Sequence, residues 1–181
     1  MSDFSPKIAQ RRIYLVGFMG SGKSHLAPIL AKALPNWLFF DTDAYIQHNE
    51  KKTIAEIIAT HGEPHFRKLE RDALQVSTYL KNAVVATGGG LPCFGENMPE
   101  IQRVGLSIFL NPPIGTIYER LSKPENAAIR PLWQARSEAD RRDFLYQTFL
   151  QRYPIYSQAD IQHDSSSSPI WLLERLKRYF K

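Results

Sequence analysis

One cysteine, Cys93, stands in 181 residues. An intrachain disulfide framework is excluded, and a reducing compartment suits the chain, so a cytoplasmic location is expected. No apolar stretch approaches the roughly 20 residues that a membrane helix requires. The segment from Met1 to Arg12 is polar and lacks the apolar region of a secretory signal, so none is expected. There is no internal repeat, and the run Ser165 to Ser168 is too short to be a disordered domain. Lysine and arginine number 23 against 18 aspartate and glutamate, a formal net charge of +5. The basic residues are scattered through helical segments rather than massed in one tract, and no nucleic-acid motif accompanies them. Attraction of small anionic substrates accounts for the charge, so neither nucleic acid nor membrane is an expected partner. Hydrophobic content of 43% with 23% charged residues fits one domain with one core, spanning residues 1–181, and a monomer is expected.

What is present is an alternation of short apolar runs with helical patterns, which argues for a parallel α/β sheet. Strands are expected at 12–16, 37–40, 83–86 and 106–110, with a weaker one near 159–162. Helices are expected at 23–34, 42–50, 53–60, 64–80, 96–103, 113–122, 137–151 and 169–180. The stretch from Ser122 to Arg136 is polar, carries Pro124 and Pro131, and reads as a mobile lid of about 122–136. Ser168 and Pro169 suit the N-cap and first residue of the last helix.

The most informative octet is Gly17-Phe18-Met19-Gly20-Ser21-Gly22-Lys23-Ser24. It is a Gly-x-x-x-x-Gly-Lys-Ser phosphate loop between an apolar run and a helical pattern, the setting the motif requires. Its glycines let backbone N–H groups turn toward a polyphosphate, and the following helix N-terminus adds partial positive charge. Lys23 can reach the β- and γ-phosphates of a nucleotide, and the Ser24 hydroxyl can bind Mg²⁺.

Further chemistry lies at the ends of the next two strands. Asp41 and Asp43 are two apart, so extended backbone projects them to one face at the carboxyl end of a strand, where open sheets bind ligands. Asp41 is placed to hold Mg²⁺, and Asp43 to take a proton from an attacking hydroxyl. The same pair also reads as the N-cap and first-turn carboxylate of a helix. Gly88, Gly89 and Gly90 close the third strand and allow a substrate near backbone N–H groups. In the segment Gly62 to Glu70, Arg67 can grip a carboxylate with Glu70 orienting it; alone, the two read as a surface ion pair. Arg130 lies in the lid. Arg152 ends the long helix after it, a common place for arginine. His61 and His65 have a metal spacing without further ligands and read as surface or capping residues. Cys93 reads as packing.

Together these pieces resemble the shikimate kinase family, over nearly the whole chain from about Arg12 to Phe180. The matching motifs are Gly17 to Ser24, Asp41 with Asp43, Gly62 to Glu70, Gly88 to Gly90, Arg130 to Leu132, and Arg152 with Tyr156. The resemblance implies transfer of the γ-phosphoryl of ATP to the 3-hydroxyl of shikimate, in the route to chorismate and the aromatic amino acids. It implies that Gly20, Ser21, Gly22, Lys23, Ser24 and His25 surround the phosphates and that Ser24 holds Mg²⁺, joined by Asp41. Asp43, Arg67, Gly89 and Arg152 would hold shikimate, with Asp43 the base. Lys23 and Arg130 would serve the transfer, Arg130 swinging onto ATP, and Arg120, Ser168 and Pro169 would flank adenine. The implied fold is that of the nucleoside-monophosphate kinases, a five-stranded parallel sheet between helices.

Some positions depart from the family pattern. His25 replaces a hydroxyl residue, Pro28 falls inside the phosphate-loop helix, and Ile58 stands where an aromatic residue often lines the pocket. None removes a group that the reaction needs. Competing readings are another phosphate-loop small-molecule kinase, such as gluconate kinase, and a non-catalytic nucleotide-binding homologue. A GTPase switch lacks its Asn-Lys-x-Asp motif here, and a nucleoside-monophosphate kinase its Asp-Gly-aromatic-Pro-Arg segment.

Overall fold

The computed structural model describes residues 11–123, 137–164 and 169–179. Five parallel strands make one sheet in the order β2-β3-β1-β4-β5, from β1 (Arg12–Val16), β2 (Leu38–Asp41), β3 (Ala83–Ala86), β4 (Leu106–Leu110) and β5 (Ile161–His163). The order reverses beside β1. Such sheets bind ligands in the crevice at that reversal. The helices between strands are α1 (Lys23–Ala33), α2 (Thr42–Glu50), α3 (Ile54–His61), α4 (Glu63–Ser77), α5 (Asn97–Val104), α6 (Ile114–Ser122), α7 (Glu138–Tyr156) and α8 (Pro169–Tyr179).

Alternation along the buried strands sorts side chains onto two cores. Tyr14, Val16, Val85 and Phe109 face one side and pack with Leu74, Ile101, Ile117, Leu145 and Tyr156. Ile13, Leu15, Val84, Ile108 and Ile161 face the other, against Leu26, Ala27 and Leu30 of α1 and Leu172 and Leu176 of α8. A third, small cluster of Ile46, Ile57, Phe66 and Ala73 joins α2, α3 and α4 into a lobe beside the sheet edge. The lobe is fixed by local signals. Thr53 and Glu56 form a reciprocal capping box at the start of α3, and Gly62 at φ +80° turns the chain into α4.

Three expectations need correction. The long helix does not end at Arg152: α7 runs on to Tyr156 with Pro154 inside it. A proline so near a helix C-terminus costs one hydrogen bond where the ladder is already ending. Ser122 does not belong to a loop but closes α6, and residues 124–136 of the expected lid lie outside the described residues. The fourth helix stops at Ser77, three residues early, because a turn follows in which Tyr79 and Leu80 donate to Val76 and Ser77 carbonyls. Otherwise the elements lie within a few residues of expectation, and among the described residues no helix is long and apolar enough to cross a membrane.

His163, at the carboxyl end of β5, is 2% exposed and stacks on Trp171 of α8, with ring centroids 5.7 Å apart. Burial holds its imidazole below the ordinary value; Asp164 pulls the other way and Arg175 adds to the depression. The unfolded chain therefore takes up this proton first as the pH falls below about 6.5, and the folded state loses stability from there down to the lowered value. His163→Phe keeps the stack and removes the titration. Its melting temperature should fall less than that of the wild type between pH 7.5 and 5.5, and parallel declines would show that His163 does not titrate late.

Candidate active site

The phosphate loop occupies the turn between β1 and α1. Gly17, Gly20 and Gly22 have φ of +140°, +77° and +102°, conformations that side chains rarely adopt, which is why the motif needs glycine there. Gly22 is the N-cap of α1 and offers no side chain to the helix's first N–H groups, which leaves them for an anion. The buried Lys23 folds back so that Nζ donates to the Gly17 and Phe18 carbonyls, both at 2.8 Å. From α6, the Arg120 guanidinium lies 3.2 and 3.3 Å from the Gly20 and Ser21 carbonyls. Two cations thus close on one loop. The exposed His25 keeps its backbone N–H on the Gly22 carbonyl at 3.1 Å. Pro28 sits inside α1 without ending it and cannot donate to the Ser24 carbonyl.

Asp41 takes the capping role and also reaches the phosphate loop. Its Oδ1 accepts from the backbone N–H groups of Asp43 and Ala44 at 3.0 and 3.1 Å, capping α2. Its Oδ2 accepts from the Ser24 hydroxyl at 2.7 Å. Cap and loop are therefore joined by one carboxylate. Two hard oxygens side by side at the edge of a phosphate loop fit a Mg²⁺ ion that keeps several waters and phosphate oxygens.

The turn after β3 brings the other groups together. Gly88 donates its N–H to the buried Thr42 hydroxyl at 2.8 Å, tying the turn to the start of α2. A side chain at Gly88 would overlap Asp43 Oδ1 and lie 3.0 Å from Glu70 Oε1. One at Gly90 would lie 2.5 Å from an Arg67 nitrogen, and one at Gly89 would lie 3.2 Å from the Met19 backbone nitrogen in the phosphate loop. These glycines are required for room rather than for conformation. Across them, Arg67 is held by three groups. Nη1 lies 2.5 Å from Glu70 Oε2, Nη2 lies 2.5 Å from Glu63 Oε1, and the Phe94 ring centroid is 3.7 Å from its central carbon.

Glu70 is 1% exposed, so the pair with Arg67 is not the surface contact that the two residues suggest on their own. Burial pushes its carboxyl up to about 7, against the pull of Arg67; Asp43 raises it further and Arg152 lowers it. Arg152 of α7 thus stands close enough to act on Glu70, and its guanidinium lies 5.8 Å from the Phe18 ring. Arg67 and Arg152 both also act on Cys93, whose thiol burial holds above its ordinary value. Two guanidinium groups 85 positions apart in sequence therefore act on the same two side chains, Glu70 and Cys93, beside the glycine turn and Asp43.

The structure brings together Lys23, Ser24, Asp41, Asp43, Arg67, Gly89, Arg120 and Arg152. Arg120 lies against the phosphate-loop carbonyls. Pro169 opens α8. Arg130 and Ser168 lie outside the described residues. Phe94 and the place of Cys93 beside Arg67 and Arg152 escaped sequence reasoning, while Glu63 and Tyr156 entered only as members of the family motifs. Glu63 also had a local signal, its i,i+4 spacing to Arg67. His61 and His65 bring their rings to 5.0 Å but recruit no further ligand: no metal-binding cluster of three or more acidic, histidine or cysteine residues occurs among the described residues.

A parallel sheet of this order with a glycine-rich phosphate loop after β1 and a carboxylate pair after β2 defines a phosphate-loop small-molecule kinase fold. The family model for shikimate kinase matches residues 19–178, and the chain belongs to that family. The shikimate kinase of Bacteroides thetaiotaomicron is 38% identical over 148 residues, covering 82% of this chain and 83% of its own. That of a Nostoc species is 41% identical, covering 83% and 78%. Among solved structures, the Bacteroides thetaiotaomicron shikimate kinase superposes with a TM-score of 0.85 at 33% identity, covering 95% of this chain and 99% of its own. The Acinetobacter baumannii shikimate kinase in complex with shikimate gives 0.82 at 29% identity, covering 95% and 93%.

The room at Gly88 can be tested directly. Gly88→Ala places a methyl group on Asp43 Oδ1, and if Asp43 serves the reaction, its displacement by about an ångström should cost about 10²-fold in turnover. Gly115→Ala, in α6 with nothing near its Cβ position, should be neutral. Equal activity of the two variants would refute the steric argument. Glu70→Gln removes the charge that holds Arg67 while keeping the shape. A rise of roughly tenfold in KM for the acidic substrate is expected from one lost charge-assisted hydrogen bond, with little change in melting temperature because a buried charge is also removed. A melting temperature that falls steeply with an unchanged KM would assign Glu70 to folding alone.

Proposed function

We propose that the protein transfers the γ-phosphoryl group of ATP to the 3-hydroxyl of shikimate, giving shikimate 3-phosphate and ADP, in the cytoplasm and as a monomer. The observation that carries this reading is the approach of Arg67, Arg152 and Asp43 to the buried Glu70, beside the glycine turn that adjoins the phosphate loop. A substrate with one carboxylate and several hydroxyls suits such a pocket. Guanidinium forks hold the carboxylate, and the glycine turn leaves the ring against backbone. The bound shikimate of the Acinetobacter baumannii relative supports the same substrate here.

In this reading the N–H groups of Gly20 to His25 and the Lys23 ammonium hold the phosphates. Lys23 exchanges its loop carbonyls for phosphate oxygens, and Arg120 lies over the same loop. Ser24 and Asp41 would hold Mg²⁺, which when bound supplies charge neutralisation on the transferred phosphates. Arg67 and Arg152 orient shikimate so that its 3-hydroxyl faces Asp43. Asp43 accepts the hydroxyl proton as the oxygen attacks. Burial at the foot of the pocket excludes water, which limits transfer to water instead of substrate. Contacts of Arg130, Ser168 and Pro169 with ATP rest on the family resemblance.

A coupled assay of ADP release with shikimate present and absent tests the reading, with gluconate and other hydroxy acids as competitors. Release that depends on shikimate is expected; release that depends on gluconate, or on no acceptor, would replace the assignment. Lys23→Ala should lose about 10³-fold in turnover, since such electrostatic contacts supply several kcal/mol, while the melting temperature holds. Arg67→Ala and Arg152→Ala should raise KM for shikimate and leave that for ATP nearly unchanged. Asp43→Asn should lower kcat by about 10²- to 10⁴-fold with ATP still bound. A loss confined to ATP binding in the arginine variants would remove the shared carboxylate pocket and the substrate with it.

A further inference from the structure

Tyr156 sits at the carboxyl end of α7, fully buried, with its ring against Phe109 at 5.3 Å. Core packing explains the ring and leaves the hydroxyl to be accounted for. That hydroxyl donates to the Gly89 carbonyl at 2.5 Å, across 67 positions of sequence. A phenol has one proton to give, and it is committed to Gly89. Arg152, one helical turn earlier on α7, and the Cys93 thiol both stand close enough to act on that hydroxyl. The hydroxyl therefore ties the glycine turn after β3 to α7, beside the 3₁₀ turn Leu91–Cys93 and an arginine of the same helix. Gly89 in turn rests on the phosphate loop, its Cβ position 3.2 Å from the Met19 nitrogen and 3.7 Å from the Gly17 carbonyl.

We propose that Tyr156 is a positioning residue for the acceptor substrate: its hydroxyl fixes the Gly89 peptide and the Arg152 guanidinium relative to each other, so that backbone and side-chain donors meet the same carboxylate-bearing molecule. Tyr156 touches no reacting atom. It acts through Gly89 and Arg152. An arginine carries several rotatable bonds, and holding its guanidinium before the substrate arrives reduces the entropy lost on binding. Gly89 is half-buried, and without the phenol its carbonyl loses this partner and its peptide is free to rotate. Burial, the first cause of the strong upward shift of this phenol, keeps the hydroxyl protonated and donating throughout the working range of pH.

The inference rests on the shikimate kinase reading, and the test separates the two. Tyr156→Phe keeps the ring and its stacking on Phe109 and deletes only the hydroxyl. In the coupled ADP assay it should raise KM for shikimate roughly tenfold and leave KM for ATP within about twofold, with kcat changed less than KM. A double variant with Arg152→Lys should bind shikimate no more than about twofold worse than Arg152→Lys alone, because the phenol acts through a guanidinium already lost. Melting temperatures of all three variants are measured alongside. Equal KM values for Tyr156→Phe and the wild type would overturn the positioning role. So would a parallel rise in both KM values with a fall in melting temperature, which marks a merely structural hydroxyl. Fully additive losses in the double variant would sever Tyr156 from Arg152 and likewise overturn it. A wild type whose ADP release ignores shikimate would fail at the first measurement and remove the functional reading itself, with the positioning role falling after it.

Discussion

The room left by Gly88, Gly89 and Gly90 is the constraint on which the site depends. Each lacks a side chain at a place already filled: Asp43 and Glu70 at the first, the phosphate loop at the second, the Arg67 guanidinium at the third. Parallel strands deliver the pieces to one edge, since β1, β2 and β3 all run the same way and end in register, Asp41 level with Ala86 and Leu15 level with Ala86. Delivery alone does not bring an acid, a base and a phosphate cradle within contact. That closeness requires a strand to end without bulk between its two neighbours.

Electrostatics at the site follows from the same closeness. Glu70 is buried beside Asp43, and two carboxylates in a low-dielectric setting resist ionising together. Arg67 and Arg152 both offset that repulsion. Glu63, at the exposed rim, takes the second edge of the Arg67 guanidinium and leaves its flat face on Phe94. An arginine so enclosed has few rotamers left. The guanidinium is presented in one orientation, which is the property a carboxylate-binding pocket needs.

Asp41 shows how one side chain satisfies folding and chemistry together. Capping α2 uses Oδ1 and leaves Oδ2 on the Ser24 hydroxyl, so the helix start and the phosphate loop hold each other in place. Capping and the link to Ser24 are compatible because a carboxylate has two oxygens, and the turn from β2 into α2 gives them different partners.

The alternation of buried runs and helical patterns was legible along the chain, as was the phosphate loop, whose glycines must take positive φ at fixed spacing whatever surrounds them. Asp41, Asp43 and Arg67 announced themselves by their place at strand ends and helix starts, because local backbone sets which face a residue occupies. Arg152 and Tyr156 gave no local signal of their function; only the family resemblance pointed to them, and the helix expected to end at Arg152 runs on to Tyr156. The depth of Glu70, the stacking of Phe94 on Arg67, the placing of Cys93 in the pocket and the Tyr156–Gly89 hydrogen bond all join segments far apart in sequence. Sequence spacing carries backbone periodicity, which reaches a few residues. Burial, and with it the charge state of Glu70 and the partner of a phenol, is decided by which distant segments the sheet order places side by side.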